Sequence, residues 1–169
     1  RDQTITINSI SKTYSLTGWR VGWAIAPAPL TASIRTVHDF LTVGAPHPLQ
    51  EAAATALRID RSYYETLARE YEERRDFLSA VLDDAGFRIY RPQGAYYIMT
   101  DVGHFGFSDD VALALHLVEK FGLATVPGSS FYSRSSLGAT KIRFCFPKKK
   151  ETLEQSAENL RRFKMDREK

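Results

Sequence analysis

The segment Ser9–Gly22 limits the folds open to this chain more than any other part of the sequence. It places Lys12 among small hydroxyl side chains and sets Arg20 eight positions later, in a turn framed by glycines. The preceding residues 4–7 alternate β-branched side chains, which predicts a strand that ends where the lysine turn begins. Small neighbours leave room for a bulky ligand beside the ammonium group. Hydroxyl groups and a guanidinium are together the donors that a phosphate group requires.

This combination indicates a cofactor that is both an aldehyde and a phosphate ester, namely pyridoxal 5'-phosphate. A lysine amine forms a Schiff base with such a carbonyl, and Lys12 is the candidate for that bond. Ser9, Ser11 and Arg20 are the candidate phosphate ligands. Ser9 is the weaker of the two serine assignments, because a hydroxyl at a strand end also commonly bonds to backbone groups.

The same segment resembles the lysine signature of the class I and II (fold-type I) aminotransferases. Its end, residues 17–23, is most similar to the subgroup of kynurenine, aromatic and methionine aminotransferases. The resemblance implies an enzyme that transfers an amino group between an amino acid and a 2-oxo acid. It also implies that Lys12 moves the proton from the substrate Cα, and that the complete protein is a homodimer. Two alternatives stay open: a pyridoxal-dependent lyase, such as a carbon–sulfur lyase, and an aminotransferase-like effector domain of a transcription regulator.

The position of the lysine predicts how the chain is divided. Arg1–Gln3 directly precede the first predicted strand, whereas the resembled enzymes reach their lysine well past their midpoint. The resemblance therefore implies the carboxy-terminal part of an α/β fold-type I enzyme. Residues 1–65 would end its large domain, residues 66–169 would form an α+β small domain, and a long helix predicted over 62–85 would cross the boundary. Other cofactor contacts of the family lie upstream of the lysine, so we expect the isolated chain to be inactive.

Apolar spacing predicts the remaining elements. The continuous apolar run 21–26 predicts a strand buried on both faces, and a helix with apolar residues at helical spacing is expected after Pro29. Ser108 is expected to cap a later helix. The apolar face of that helix is expected to carry Val111, Leu115 and Val118, and that of the last helix Leu153, Ala157, Leu160 and Phe163.

A second candidate site residue lies in the predicted strand 141–146. A period of two places Ile142, Phe144 and Phe146 on one face of this strand and Arg143 on the other. An arginine isolated in this way is either a ligand for a planar anion or a member of a structural ion pair. The resemblance implies the first role, in which Arg143 binds the α-carboxylate of the substrate.

Composition excludes several other classes of function. With 23 basic and 20 acidic residues the net charge is only +3, which without a clustered basic surface is not the pattern of a nucleic-acid-binding protein. The basic run Lys148–Lys150 is interpreted as a solvated charge run before a helix. No apolar run approaches the length that spans a membrane. The single cysteine, Cys145, excludes an internal disulfide and suits the cytoplasm. The histidines show no ligand spacing, so no metal site is expected. We interpret His47 as a solvated loop residue, although the resemblance also permits a contact with a neighbouring subunit.

Overall fold

The computed structural model describes residues 3–168; Arg1, Asp2 and Lys169 lie outside the described residues, including the start of the chain interpreted above. The fold is a mixture of helices and sheets arranged in two compact units, residues 1–63 and 64–169. The helices are α1 (Ala28–Thr42), α2 (His47–Ala56), α3 (Arg61–Asp84), α4 (Asp110–Phe121) and α5 (Lys150–Arg167). The strands are β1 (Thr6–Ser9), β2 (Gly22–Ile25), β3 (Arg88–Tyr90), β4 (Tyr97–Asp101), β5 (Val126–Pro127) and β6 (Lys141–Cys145). No helix within residues 3–168 combines the length and the apolar character needed to cross a membrane.

The first unit contains a two-stranded antiparallel sheet of β1 and β2, in which Ser9 lies opposite Gly22. Ile10 and Val21, which adjoin this last pair in the chain, form a small core with Ala53 of α2. Ile10 is fully buried, and its N–H donates to the carbonyl of Val21 over 3.3 Å. The lysine turn therefore begins at a residue that is fixed by both packing and hydrogen bonding.

One prediction about burial in the first unit is wrong, and one predicted helix is left exposed. The strand β2 is not buried on both faces, since Ile25 is 63% exposed. The helix α1 forms, but none of its residues is buried, and Phe40 is 88% exposed. The physical reason is that within residues 3–63 the hairpin has no third strand and too few elements surround it to cover its apolar side chains.

The second unit is built on a four-stranded antiparallel sheet with the order β3-β4-β6-β5. Alternation along β6 places Ile142 and Phe144 in the core and leaves Arg143 half-buried, as its sequence predicts. An aromatic cluster centred on Phe87 fills the core, with ring centres 4.8 to 5.7 Å from those of Phe105, Phe144 and Phe163. The predicted apolar face of α5 is confirmed, because all four of its residues are buried.

The helix α4 turns a different face to the core from the one predicted. Its buried apolar residues are Leu113, Ala114, Leu117 and Phe121, whereas Val111, Leu115 and Val118 are about half exposed. The helix carries apolar residues on both stripes, so its own sequence does not choose between them. Packing in the second unit selects the stripe with Leu113 and Leu117, which together with Phe121 brings the larger side chains inside.

The cap of α4 also differs from the prediction. Asp109, rather than Ser108, is the N-cap, and its carboxylate accepts a hydrogen bond from the Ala112 N–H at 2.8 Å. We expect Asp109→Ala to lower the free energy of unfolding by about 1 kcal/mol, because it leaves a helix donor without its partner. Ser108→Ala is the matched control, and we expect it to change stability by less than about 0.5 kcal/mol. Urea denaturation followed by circular dichroism measures both, and a larger loss in Ser108→Ala contradicts the assignment.

Candidate functional site

The turn that carries Lys12 is held by contacts on both sides of the lysine. The hydroxyl of Thr17 donates to the carbonyl of Ser11 at 2.8 Å, and the hydroxyl of Tyr63 donates to the carbonyl of Thr13 at 2.7 Å. The ring of Tyr63 also stacks on Tyr14, with 5.8 Å between the ring centres and 8° between the planes. These contacts fix the backbone of the turn, while the side chain of Lys12 lies at the exposed surface.

Three of the four predicted cofactor ligands share one pocket. Ser9, Ser11 and Arg20 line an open pocket of about 810 Å³ in the first unit, together with Gly22. A Cβ at Gly22 would lie 2.7 Å from the carbonyl oxygen of Asn8, so the close approach of the two strands here requires glycine. Lys12 follows Ser11 directly in the chain but is not among the residues that line this pocket.

Arg20 adopts a backbone conformation that arginine rarely takes. It has φ of 55° and ψ of 41°, the left-handed region, at the end of the 3₁₀ turn Thr17–Trp19. Such a conformation costs about 1 to 3 kcal/mol for a residue other than glycine, and residues of this kind concentrate at functional sites. One guanidinium nitrogen, Nη1, donates to the carbonyl of Thr17 at 2.9 Å. Arg20 forms no ion pair with an acidic side chain in the described part of the chain, so donors of its planar group stay available to an anion.

Arg143 lies in the second unit, on β6, between two aromatic rings. Its Cζ atom is 5.2 Å from the ring centre of Tyr97, which is on the neighbouring strand β4, and 4.9 Å from that of Phe131. Both distances are within the range of cation–π attraction. The two rings hold the guanidinium on this face of the sheet.

The polar atoms of Arg143 are not used by the described residues around it. Its Nε is buried and has no hydrogen-bond partner, and within residues 3–168 no carboxylate forms an ion pair with it. The alternative of a structural ion pair therefore has no partner in this part of the chain. A buried donor without a partner costs about 1 to 3 kcal/mol. This cost favours an anion ligand over a structural ion pair as the interpretation of Arg143.

Several supporting residues were not predicted as part of a site. Tyr63 and Thr17 hold the lysine turn, and Phe131 and Tyr97 flank Arg143. No sequence signal indicated a role for the Phe131 ring, because its partner Arg143 lies on another element. Tyr63 had no such signal, because its partner Thr13 is distant in sequence.

The other residues considered in the sequence, His47 and Cys145, are not part of either candidate site. His47 is the first residue of α2 rather than a loop residue, and its Nε2 lies 3.9 Å from the carboxylate of Glu51 at the exposed surface. Cys145 is a free, half-buried thiol. Throughout residues 3–168, no three His, Cys, Asp or Glu side chains come together as metal ligands would.

Comparison with known proteins matches nearly the whole chain. The family model described as "Aminotransferase class I and II" matches residues 1–160. Methionine aminotransferase of Escherichia coli K12 is 37% identical over 161 residues, which are 95% of this chain and 42% of that protein. Kynurenine–oxoglutarate transaminase of Dictyostelium discoideum is 33% identical over 183 aligned positions, covering 96% of this chain and 42% of that protein. The chain thus spans less than half the length of these relatives.

Solved structures show the same relation in three dimensions. The aromatic aminotransferase of Pyrococcus horikoshii OT3 superposes with a TM-score of 0.89 at 29% identity, over 99% of this chain and 44% of that one. The predicted fold class is confirmed by this match. Again the similarity covers all of the present chain and a minor part of the other protein.

Proposed function

Because the chain belongs to the class I and II aminotransferases, we propose that it is the carboxy-terminal part of an enzyme that transfers an amino group from an amino acid to a 2-oxo acid. The observation that carries the proposal is the convergence of Ser9, Ser11 and Arg20 on one pocket beside the lysine turn. Members of this family use pyridoxal 5'-phosphate.

The residues of the pocket fit the phosphate end of this cofactor. Two hydroxyls, from Ser9 and Ser11, and the guanidinium of Arg20 are donors suited to a phosphate, and Gly22 leaves the space that a Cβ would occupy. The strained backbone of Arg20 supports a role for its side chain, since glycine would take that conformation without cost. When bound, the cofactor supplies an aldehyde for the lysine amine and a ring that stabilises negative charge on the substrate Cα.

Lys12 is the proposed catalytic residue. Its amine would hold the cofactor aldehyde, and in its free form the amine would accept the proton from the substrate Cα as a general base. The resulting ammonium would then donate this proton, as a general acid, to the cofactor carbon that carries the aldehyde rather than back to Cα. The contacts of Thr17 and Tyr63 with the backbone of the turn restrict where Nζ can reach.

Arg143 is the proposed ligand of the substrate α-carboxylate. A guanidinium presents two parallel N–H donors to a carboxylate, which fixes the orientation of the substrate as well as its charge. The support for this role is the arginine's placement between Tyr97 and Phe131 and the buried Nε without a partner. A fixed carboxylate determines which bond at Cα faces the base.

The exposed apolar residues of the first unit support a larger assembly. Ile7, Phe40 and Val43 are each more than three-quarters exposed, and an apolar surface of this kind is normally covered by another element or subunit. We propose that the rest of the full-length protein and the partner subunit of a homodimer cover it. The free Cys145 supports a location in the cytoplasm.

The isolated chain of residues 1–169 is expected to show no transamination. It spans only about 42% of its relatives, so in this proposal a large share of the cofactor contacts lies outside it. Mixing the purified chain with cofactor, an amino acid and 2-oxoglutarate, and assaying glutamate, measures this. Glutamate formation that disappears in Lys12→Ala would contradict the expectation.

The same assay on the full-length protein tests the proposed reaction. A 2-oxo acid and glutamate in equal amounts identify a transaminase. Ammonia and pyruvate identify a lyase of the same fold, and no turnover across a panel of amino acids favours an effector domain. A panel that includes methionine, kynurenine and aromatic amino acids covers the reactions named for its relatives.

A further inference from the structure

The turn that carries the ring over Arg143 is linked to helix α4 through a buried carboxylate. Phe131 is the last residue of the 3₁₀ turn Gly128–Phe131. Within this turn the N–H of Ser129 donates to Oδ2 of Asp110 at 2.7 Å. Asp110, at the start of α4, therefore holds the turn that places Phe131 over the guanidinium.

The burial of Asp110 is unusual for its position. The first residue of a helix is normally solvated, yet Asp110 is 1% exposed. Its neighbour Asp109 already caps α4, so Asp110 is not the N-cap. Burying a carboxylate is costly unless hydrogen bonds compensate, and the hydrogen bond from the Ser129 N–H compensates part of that cost. This hydrogen bond stabilises the conformation of the turn 128–131.

The opposite side of the turn is closed by glycine contacts. A Cβ at Gly128 would lie 2.5 Å from the Cβ of Lys141 and 2.7 Å from the carbonyl oxygen of Gly138. A Cβ at Gly138 would in turn lie 2.3 Å from the carbonyl carbon of Gly128. The turn cannot move toward β6 past these contacts. The turn is thus held both by these close contacts and by the hydrogen bond to Asp110.

We propose that Asp110 is a positioning residue for carboxylate binding, acting through Phe131. It fixes the turn, the turn fixes the ring, and the ring limits the side chain of Arg143 to a conformation that presents its N–H donors to a carboxylate. The inference rests on the proposed role of Arg143. Without the Asp110 carboxylate the ring is released and the side chain of Arg143 becomes mobile. Binding a carboxylate must then order this side chain, an entropic cost that the unmodified protein does not bear at that step.

The test compares five variants of the full-length protein: Asp110→Ala, Asp110→Asn, Phe131→Ala, the double variant Asp110→Ala/Phe131→Ala, and Asp109→Ala as the matched control. The readouts are the KM and kcat for the amino acid substrate and the competitive inhibition constant of 3-phenylpropanoate, a carboxylate without an amino group. Asp109→Ala removes the neighbouring carboxylate and a helix cap but does not touch Ser129. It reports the effect of destabilising α4 alone.

We expect Asp110→Ala and Phe131→Ala each to weaken carboxylate binding about tenfold while kcat changes less than about twofold. Asp110→Asn keeps an oxygen acceptor for Ser129 but loses the charge, so its effect should be about threefold. Because both residues act through one ring, the double variant should also bind the carboxylate about tenfold more weakly than the unmodified protein. Independent effects would instead multiply to a loss of roughly hundredfold. The control Asp109→Ala should leave both constants unchanged.

Unchanged carboxylate binding in Asp110→Ala overturns the inference, and so does full additivity in the double variant. An equal loss in Asp109→Ala also overturns it, because helix stability would then explain the effect. If Asp110→Ala does not fold, Asp110→Asn decides, and an unchanged inhibition constant overturns the inference. Arg143→Ala is measured in parallel. Unchanged binding in that variant rejects the proposed role of Arg143, whereas loss there without loss in Asp110→Ala rejects only the positioning role.

Discussion

Replacing Lys12 with alanine in the full-length protein is expected to lower kcat for amino transfer by on the order of 10⁴-fold. The substitution removes the only group that we propose takes the proton from the substrate Cα. It also removes the amine that we propose binds the cofactor, so this one substitution removes both the general base and the covalent attachment. The rate of 2-oxo acid formation with saturating amino acid measures the effect.

Two further variants separate chemistry from folding. Lys12→Arg keeps the positive charge but cannot give up its proton near neutral pH, so it should be as inactive as Lys12→Ala. Lys120→Ala removes an exposed lysine from α4 and should retain full activity. Added methylamine should restore part of the activity to Lys12→Ala, because a small amine can enter the space that the side chain vacates. Activity in Lys12→Ala within tenfold of the unmodified protein would reject the catalytic role.

Replacing Arg143 with alanine is expected to raise the KM for the amino acid about 100-fold, with a smaller change in kcat. Truncating one partner of a desolvated charge pair costs about 2 to 5 kcal/mol, and 100-fold corresponds to about 2.7 kcal/mol. Arg143→Lys should recover little of this loss, because an ammonium is a point charge without the two parallel donors. Initial rates over a range of amino acid concentrations measure both variants.

The amide of the same amino acid provides the sharpest control. It has no carboxylate, so its KM should be nearly the same in the unmodified protein and in Arg143→Ala. Arg88→Ala removes an exposed arginine from β3 of the same sheet and should leave the KM of the acid unchanged. An equal rise in KM for the acid and the amide would show a general disturbance of the site and contradict carboxylate binding.

Local sequence patterns predicted the parts of the fold that depend on near neighbours. The alternation along β6 placed Ile142 and Phe144 in the core and Arg143 on the opposite face, because strand geometry fixes a period of two. The apolar stripe of α5 was equally clear, since its opposite face is strongly charged and only one face can be buried. Chemistry of the same local kind singled out Lys12 and its hydroxyl neighbours.

Predictions failed where two local solutions have similar energies. Ser108 and Asp109 are both good cap residues, and only the backbone path decides which side chain reaches the Ala112 N–H. The two apolar stripes of α4 present the same ambiguity, and packing against the core chose Leu113 and Leu117. The exposure of β2 had a different cause, because burial of a strand face depends on which elements lie beside it.

The sequence by itself determined the candidate residues for the proposed chemistry: a lysine among hydroxyls, an arginine in a glycine-framed turn, and a second arginine alone on a strand face. Each of these patterns involves residues close together in the chain, so covalent geometry and local backbone conformation fix their relative positions. Tertiary structure alone decided what surrounds those groups. Asp110 meets Ser129 and Phe131 meets Arg143 only after the chain has folded, because each pair is brought together by sheet and helix packing rather than by spacing in the sequence.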